Sequence, residues 1–198
     1  MNATPPITFE CLNNESNRFS AYGISSDALA LINNSETIKA DIRAYAASNY
    51  VNLGVVNLTT GLGQYDAPIV DVDLTARRLG YLDIAADRFS TPESTVQILA
   101  HELCHFRVEE PGAAIANARA NAWAARDQGA YESACNLTEG YARLNEVRVG
   151  NELVAATRAQ AAAEGRDLPV INNRNLLDVI FRVHIFLNAA SKKGNTKV

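Results

Sequence analysis

The sequence predicts an α+β fold, with a small mixed sheet in the N-terminal half and mainly helices in the C-terminal half. A chain of 198 residues that is 47% hydrophobic has the size and composition of one globular domain. Short β-prone runs bounded by turn residues precede residue 90, whereas alanine-rich segments with helical spacing follow it. A sheet followed by a run of helices is typical of the α+β class. We therefore expect a single domain over residues 1–198, divided into a mixed part (1–90), a helical part (91–190) and a flexible tail (191–198).

The N-terminal half begins with two predicted helices. Ser26 and Asp27 are candidate caps for a short helix, and Ser35 with Glu36 for a second helix that ends near Ser48. Turn signals such as T-T-G-L-G at residues 59–63 then separate β-prone runs. These runs predict three strands, at residues 50–58, 69–74 and 81–86.

The helical half begins at Thr91, a candidate N-cap that is followed by Pro92 in the first helical position. Apolar residues at helical spacing continue until Pro111-Gly112, where this helix is expected to end. Gly129 and Gly150 predict breaks between the later helices. Those helices are expected at about residues 113–128, 131–149 and 151–164, with a strongly apolar last helix at 174–190.

The charge pattern argues against nucleic-acid and membrane roles. The net charge is −4 and the basic residues are scattered, so nothing predicts a nucleic-acid surface. No apolar run reaches the length of a membrane span, and the N-terminus lacks the features of a signal peptide. We expect a cytoplasmic protein or one exported by a signal-independent route.

The three cysteines, Cys11, Cys104 and Cys135, are an odd number without close spacing, which disfavours a disulfide framework. Cys104 is expected to be a small buried residue.

The chemistry is predicted by the stretch Q-I-L-A-H-E-L-C-H-F, which holds two of the three histidines in the chain. On a helix, His101 and His105 lie on one face about 6 Å apart, so both imidazoles can bind one Zn²⁺. Glu102 points away from that pair, but it can reach a water on the metal and act as its general base. The simpler alternative is a histidine pair that holds no metal.

A catalytic zinc usually has a third protein ligand. The segment N-L-T-E-G-Y-A-R-L-N-E, residues 136–146, resembles the E-G-[FY]-A-x-x-x-E helix of the gluzincin metallopeptidases, especially their aminopeptidase branch. The resemblance covers residues 98–106 and 137–146. It implies a zincin-like fold in which Glu139 is the third ligand and Glu146 holds a histidine by its free N–H. Glu146 is the second choice for the ligand and Glu152 the third, while Gly140 would let the two helices approach closely.

Two departures from the aminopeptidase pattern favour an endopeptidase or an unusual member. The gap between His105 and Glu139 is longer than in that family, and no amine-recognition motif of the G-A-M-E-N kind is present. The motif helix also resembles that of the SprT-like proteases, which use a third histidine a short way downstream. Residues 106–183 contain no histidine, so the ligands do not fit that assignment.

Other roles have weaker support. His184, among apolar residues, is either a hydrogen-bonded core histidine, a third ligand or an oxyanion donor. Tyr131, Tyr141 and Arg143 are further candidate oxyanion donors, although Tyr141 should face away from the metal because it follows Glu139 by two residues. By resemblance to zincin-like folds, an edge strand at residues 81–86 would bind the substrate backbone.

The sequence thus predicts a zinc-dependent metallopeptidase that acts on proteins or peptides. The rival from another class is a catalytically inert zinc-binding interaction domain, in which a structural zinc would require four protein ligands. A third possibility keeps the hydrolase and changes its biology. A metallopeptidase domain without a signal looks similar to secreted antibacterial or host-directed toxins, which are sometimes part of a larger effector.

Overall fold

The computed structural model describes residues 5–8, 24–52, 63–71, 73–84 and 91–165. The helices are α1 (Ser26–Asn33), α2 (Glu36–Ala47), α3 (Pro92–Glu109), α4 (Ala114–Ala124) and α5 (Gln128–Ala163). The strands are β1 (Val51–Asn52), β2 (Gly63–Asp66), β3 (Ile69–Val70), β4 (Ala76–Arg78) and β5 (Gly80–Ile84). The predicted helix at 174–190, His184, Cys11, the tail at 191–198 and most of the predicted strand at 50–58 lie outside the described residues.

Four helices begin at a polar side chain that accepts a hydrogen bond from a free backbone N–H of the first turn. The caps are Ser25 for α1, Ser35 for α2, Thr91 for α3 and Asp127 for α5. The predicted caps of α2 and α3 are confirmed, and that of α1 lies one residue earlier than predicted. Helix α3 ends at Glu109, before Pro111 and Gly112, as the sequence indicates.

The strands form two small sheets, so the α+β class is confirmed. The larger sheet has the order β1-β5-β2, with β1 parallel and β2 antiparallel to β5. The smaller sheet pairs β3 with β4. Strand β5, which lies in the segment predicted as a substrate-binding edge, has a partner on each side. That prediction is wrong, because within the described residues the edges of this sheet are β1 and β2.

One of the two predicted helix breaks is wrong. The break expected near Gly129 is present, because α4 ends at Ala124 and α5 begins at Gln128. Gly150, however, lies inside α5, which is continuous over 36 residues. A glycine in a helix costs about 1 kcal/mol relative to alanine, which is small against the packing of so long a helix. The structural reason is that α5 packs along α3, and Val149 and Leu153, on either side of Gly150, belong to or pack against the hydrophobic core.

Helix α3 lies at the centre of the fold. One of its faces buries Val96, Leu99 and Leu103 against the first two helices. A second face packs on the larger sheet, and there the ring of Phe106 meets the ring of Tyr65 edge-on at 6.2 Å. The third face contacts α5. No helix among the described residues combines the length and apolar character needed to cross a lipid bilayer.

A buried polar contact fixes α5 against α3. The Asn145 side chain on α5 donates to the backbone carbonyl of Ala100 at 2.9 Å and to the Asp41 carboxylate at 3.1 Å. Arg107 on α3 donates to the other Asp41 oxygen at 3.0 Å. The buried Asn145 amide therefore joins α2, α3 and α5, and it sets the register of α5 relative to α3.

Substitution Asn145→Ala should lower the free energy of unfolding of the metal-free protein by about 1–3 kcal/mol, because it leaves buried acceptors unsatisfied. Urea denaturation measures this quantity. The matched control is Asn117→Ala, which removes an exposed amide that donates to Gly112 at 3.2 Å. The control should cost no more than about 0.5 kcal/mol. Equal losses in the two variants would contradict the role given to Asn145.

Candidate metal centre

The two motif histidines direct the same ring nitrogen toward each other. His101 and His105 lie one turn apart on α3, and their Nε2 atoms are 3.0 Å apart. Two nitrogens bound to one tetrahedral zinc at about 2.0–2.1 Å lie about 3.4 Å apart. The side chains are thus arranged nearly as they would be when sharing a cation, and the helical period is sufficient to explain this placement.

Glu139 on α5 supplies a third donor atom. Its two carboxylate oxygens lie 3.4 Å from His105 Nε2 and 3.6 Å from His101 Nε2. The hydrogen bond from His105 lowers the pKa of Glu139, so the carboxylate is ionised at neutral pH. Among the described residues, His101, His105 and Glu139 form the one group whose donor atoms converge closely enough to hold a metal ion.

Glu146 lies two helical turns beyond Glu139 on α5 and contacts the Nδ1 side of the His101 ring, opposite to Nε2. Its Oε1 is 2.5 Å from His101 Nδ1, and the same oxygen accepts from Arg143 at 2.6 Å. Gln97 donates to Oε2 at 3.0 Å. The carboxylate is buried, and seven residues of helix separate it from Glu139 by about 10.5 Å. Glu146 therefore holds the His101 ring, and Glu139 is the carboxylate that faces the gap between the histidines.

His105 is held between two carboxylates. Its Nε2 faces Glu139, while its Nδ1 lies 3.5 Å from Glu109 at the end of the same helix. Burial alone would lower the pKa of His105, but the Glu109 and Glu139 carboxylates outweigh it and raise the pKa to about 9. In the absence of a metal, His105 is therefore protonated at neutral pH.

Glu102 is buried on the sheet side of the site. Burial raises the pKa of its carboxyl above the ordinary value, against the lowering effect of His101 and His105. The backbone amide of Tyr65 on β2 donates to the carboxylate. Gly63 on the same strand approaches so closely that a Cβ there would lie 2.8 Å from Glu102 Oε1 and 2.6 Å from Ile98 Cγ2. Strand β2 can approach α3 this closely because Gly63 has no side chain. The strand therefore fixes the position of the Glu102 carboxylate.

The candidate oxyanion donors are spread over different surfaces. Arg143 is half-exposed beside Glu139 and Glu146, so it is the nearest to the histidines. The ring centroids of Tyr131 and Trp123 are 5.8 Å apart. Tyr131 lies about 12 Å from Glu139 along the helix axis. Tyr141 is exposed.

Two other predicted residues have contacts elsewhere. Glu152, the third choice of ligand, accepts hydrogen bonds from Ser35 and Thr37 at the start of α2, so it caps that helix and is not among the converging side chains. Cys104 is buried with a free thiol, as expected, and Cys135 is also free.

The sequence interpretation missed several residues that contact the site. Gln97 precedes His101 by four residues and Glu109 follows His105 by four, so the helical period contains a signal for both. No local pattern identifies Gly63 or Arg119, because each reaches the site from another element.

Comparison with known proteins gives no relative. No family model matches the sequence, and no curated protein or solved structure is significantly similar to the chain.

Proposed function

We propose that this protein is a zinc-dependent metallopeptidase with a zincin-like arrangement. One observation carries the proposal: two imidazole nitrogens and a carboxylate from a distant helix converge, and a buried glutamate lies beside them. His101, His105 and Glu139 would hold the ion. The set of two histidines and one glutamate is known for catalytic zinc, and Glu146 supports it by holding the distal nitrogen of His101.

The residues divide the chemistry among them. A bound Zn²⁺ supplies Lewis acidity, which polarises a substrate carbonyl and lowers the pKa of water to about 7. Glu102 accepts the proton of the attacking water and then donates it to the leaving amine. Burial raises the pKa of Glu102, and a more basic carboxylate is better suited to take the proton from water before it returns the proton to the leaving amine. Arg143 is the candidate oxyanion donor nearest to the histidines, and one of its N–H groups already donates to Glu146.

The substrate backbone would bind along β2. This strand is an edge of the larger sheet within the described residues, and it packs directly on α3 beside Glu102. An extended peptide can add to such an edge through main-chain hydrogen bonds at positions other than the Tyr65 N–H, which donates to Glu102. The peptide would then pass next to the general base, which supports an endopeptidase that accepts chains on both sides of the cleaved bond.

Metal analysis combined with a peptide digest tests the proposal. Purified protein should bind one zinc per chain and cleave an internally quenched peptide that is blocked at both ends, and a chelator should abolish cleavage. Hydrolysis of free-ended peptides alone would indicate an exopeptidase. Protein that binds no zinc, or that binds zinc and cleaves neither casein nor peptides, would contradict the proposal.

The inert zinc-binding domain remains the rival. A structural zinc needs four protein ligands, whereas only three donor side chains converge in the part of the chain that the structure describes. This count favours an open coordination position for water. Cobalt substitution distinguishes a catalytic site with an open position from a closed structural site. Added peptide or inhibitor should change the visible spectrum of the open site and leave that of the closed site unchanged.

Substitution Gly63→Ala should reduce hydrolysis by roughly 10²-fold while zinc content stays at one per chain, because the new methyl group must displace Glu102 or Ile98. Gly129→Ala is the matched control, since its methyl group meets only ordinary contact at 3.5 Å. The control should retain full activity. Unchanged activity in Gly63→Ala would show that the position of Glu102 does not depend on this close approach.

Zinc binding should release about one proton per ion at pH 7.5, because the metal must displace the proton on His105. Below its pKa of about 9 this histidine is protonated, so zinc affinity should rise with pH by about tenfold per unit and level off near pH 9. Calorimetry in two buffers of different ionisation enthalpy measures the released proton. A heat of binding that is independent of the buffer would mean that His105 is neutral before zinc binds.

A further inference from the structure

The histidines share a pattern of support that extends beyond the ligands. His101 Nδ1 faces the Glu146 carboxylate, which accepts from Arg143 at 2.6 Å. His105 Nδ1 faces the Glu109 carboxylate, whose other oxygen lies 2.8 Å from Arg119 Nη1. Each ring is therefore followed by a carboxylate and then by a guanidinium group. Neither Glu109 nor Arg119 belongs to the motif or to the segment that carries Glu139.

The position of Glu109 is unfavourable for a carboxylate on its own. It is the last residue of α3, where the helix dipole presents its negative end, and its side chain is only 10% exposed. A nearly buried charge requires a partner of opposite sign. Arg119 supplies that partner from α4, the short helix within the long stretch between His105 and Glu139.

We propose that Glu109 and Arg119 are positioning residues for the metal centre, in which Arg119 holds Glu109 and Glu109 holds the His105 ring. When Nε2 of His105 binds a metal, its remaining proton is on Nδ1, and this N–H points toward Glu109. The 3.5 Å separation between His105 Nδ1 and Glu109 Oε1 is long for a hydrogen bond, and the negative charge of Glu109 still favours a proton on Nδ1. Helix α4 thereby contributes to the metal centre, because its Arg119 side chain holds Glu109, which in turn orients His105.

The inference rests on the proposed function, so the test begins with zinc binding by the unaltered protein. The dissociation constant for Zn²⁺ is measured by competition with a chromophoric chelator, and the geometry of the site by the visible spectrum of the Co²⁺ form. Glu109→Gln should weaken zinc binding by about 10- to 100-fold and change the Co²⁺ bands. Glu132→Gln, an exposed carboxylate on α5 that accepts from Gln128, is the matched control and should change neither.

Arginine variants test whether the two residues act in sequence. Arg119→Ala should weaken zinc binding and Arg119→Lys should restore most of the loss, because lysine keeps the positive charge. The double variant Glu109→Gln/Arg119→Ala should bind zinc no more weakly than Glu109→Gln alone. Losses that add in the double variant would overturn the proposal.

Thermal unfolding of the metal-free variants separates positioning from simple packing of α4. Variants that lose stability but keep the wild-type zinc affinity and Co²⁺ spectrum would overturn the inference and leave the proposed function intact. Wild-type protein that binds no zinc would overturn both.

Discussion

Substitution Glu102→Gln is expected to reduce peptide hydrolysis by about 10²- to 10⁴-fold while one zinc remains bound per chain. Glutamine has nearly the shape of glutamate, but its amide cannot take a proton from water. Glu102 is not among the converging donor atoms, so its loss should leave the ligands in place. Initial rates with a quenched peptide, together with metal analysis of the same samples, measure the two effects separately.

The control for this experiment is Glu93→Gln, which changes an exposed carboxylate in the first turn of the same helix. It should keep wild-type activity and zinc content. Full activity in Glu102→Gln would refute the general-base role. Loss of zinc in Glu102→Gln would instead mean that this carboxylate binds or orients the metal. The assignment of His101 as the ligand and Glu102 as the general base would then be wrong.

Substitution Glu139→Ala is expected to remove zinc binding at micromolar metal and, with it, hydrolysis. The carboxylate oxygens of Glu139 lie 3.4 and 3.6 Å from the two histidine Nε2 atoms, so the variant loses one of three ligands. Because Glu139 is half-exposed, its replacement should disturb the fold little. Dialysis against zinc followed by metal analysis measures the loss, and thermal unfolding of the metal-free form checks the fold.

Glu146→Gln is the informative comparison, since Glu146 is the second choice of ligand and its carboxylate contacts His101 Nδ1. It should weaken zinc binding by about 10- to 100-fold, the range found for residues that orient a ligand. The loss in Glu139→Ala should be the larger of the two. If Glu139→Ala kept normal zinc content and Glu146→Gln lost it, Glu146 would be the ligand.

The sequence predicted the local part of the site because that part depends on one helix. Thr91 and Pro92 mark the start of α3, and the helical period places His101 and His105 on one face. The same period turns Glu102 toward a different side. These placements require no knowledge of other elements, since helix geometry sets the direction of each side chain relative to its neighbours.

Errors arose where a pattern had competing outcomes. The sequence predicts a turn that includes Gly63, because glycine is common in turns, yet Gly63 lies in a strand that approaches α3 closely. The sequence predicts a helix break at Gly150, whereas packing of α5 against α3 maintains the helix through this residue. At Gly150, tertiary contacts outweighed a local helix preference of about 1 kcal/mol.

The sequence by itself thus determined the fold class, the histidine helix and the set of carboxylates from which a third donor could come. Tertiary structure decided which carboxylate faces the histidines, because Glu139 and Glu146 share one helix face and differ only in height along it. That height depends on how α5 is aligned with α3, and the buried Asn145 contacts fix the alignment. Helix periodicity specifies direction around an axis, whereas position along a neighbouring helix follows only from packing.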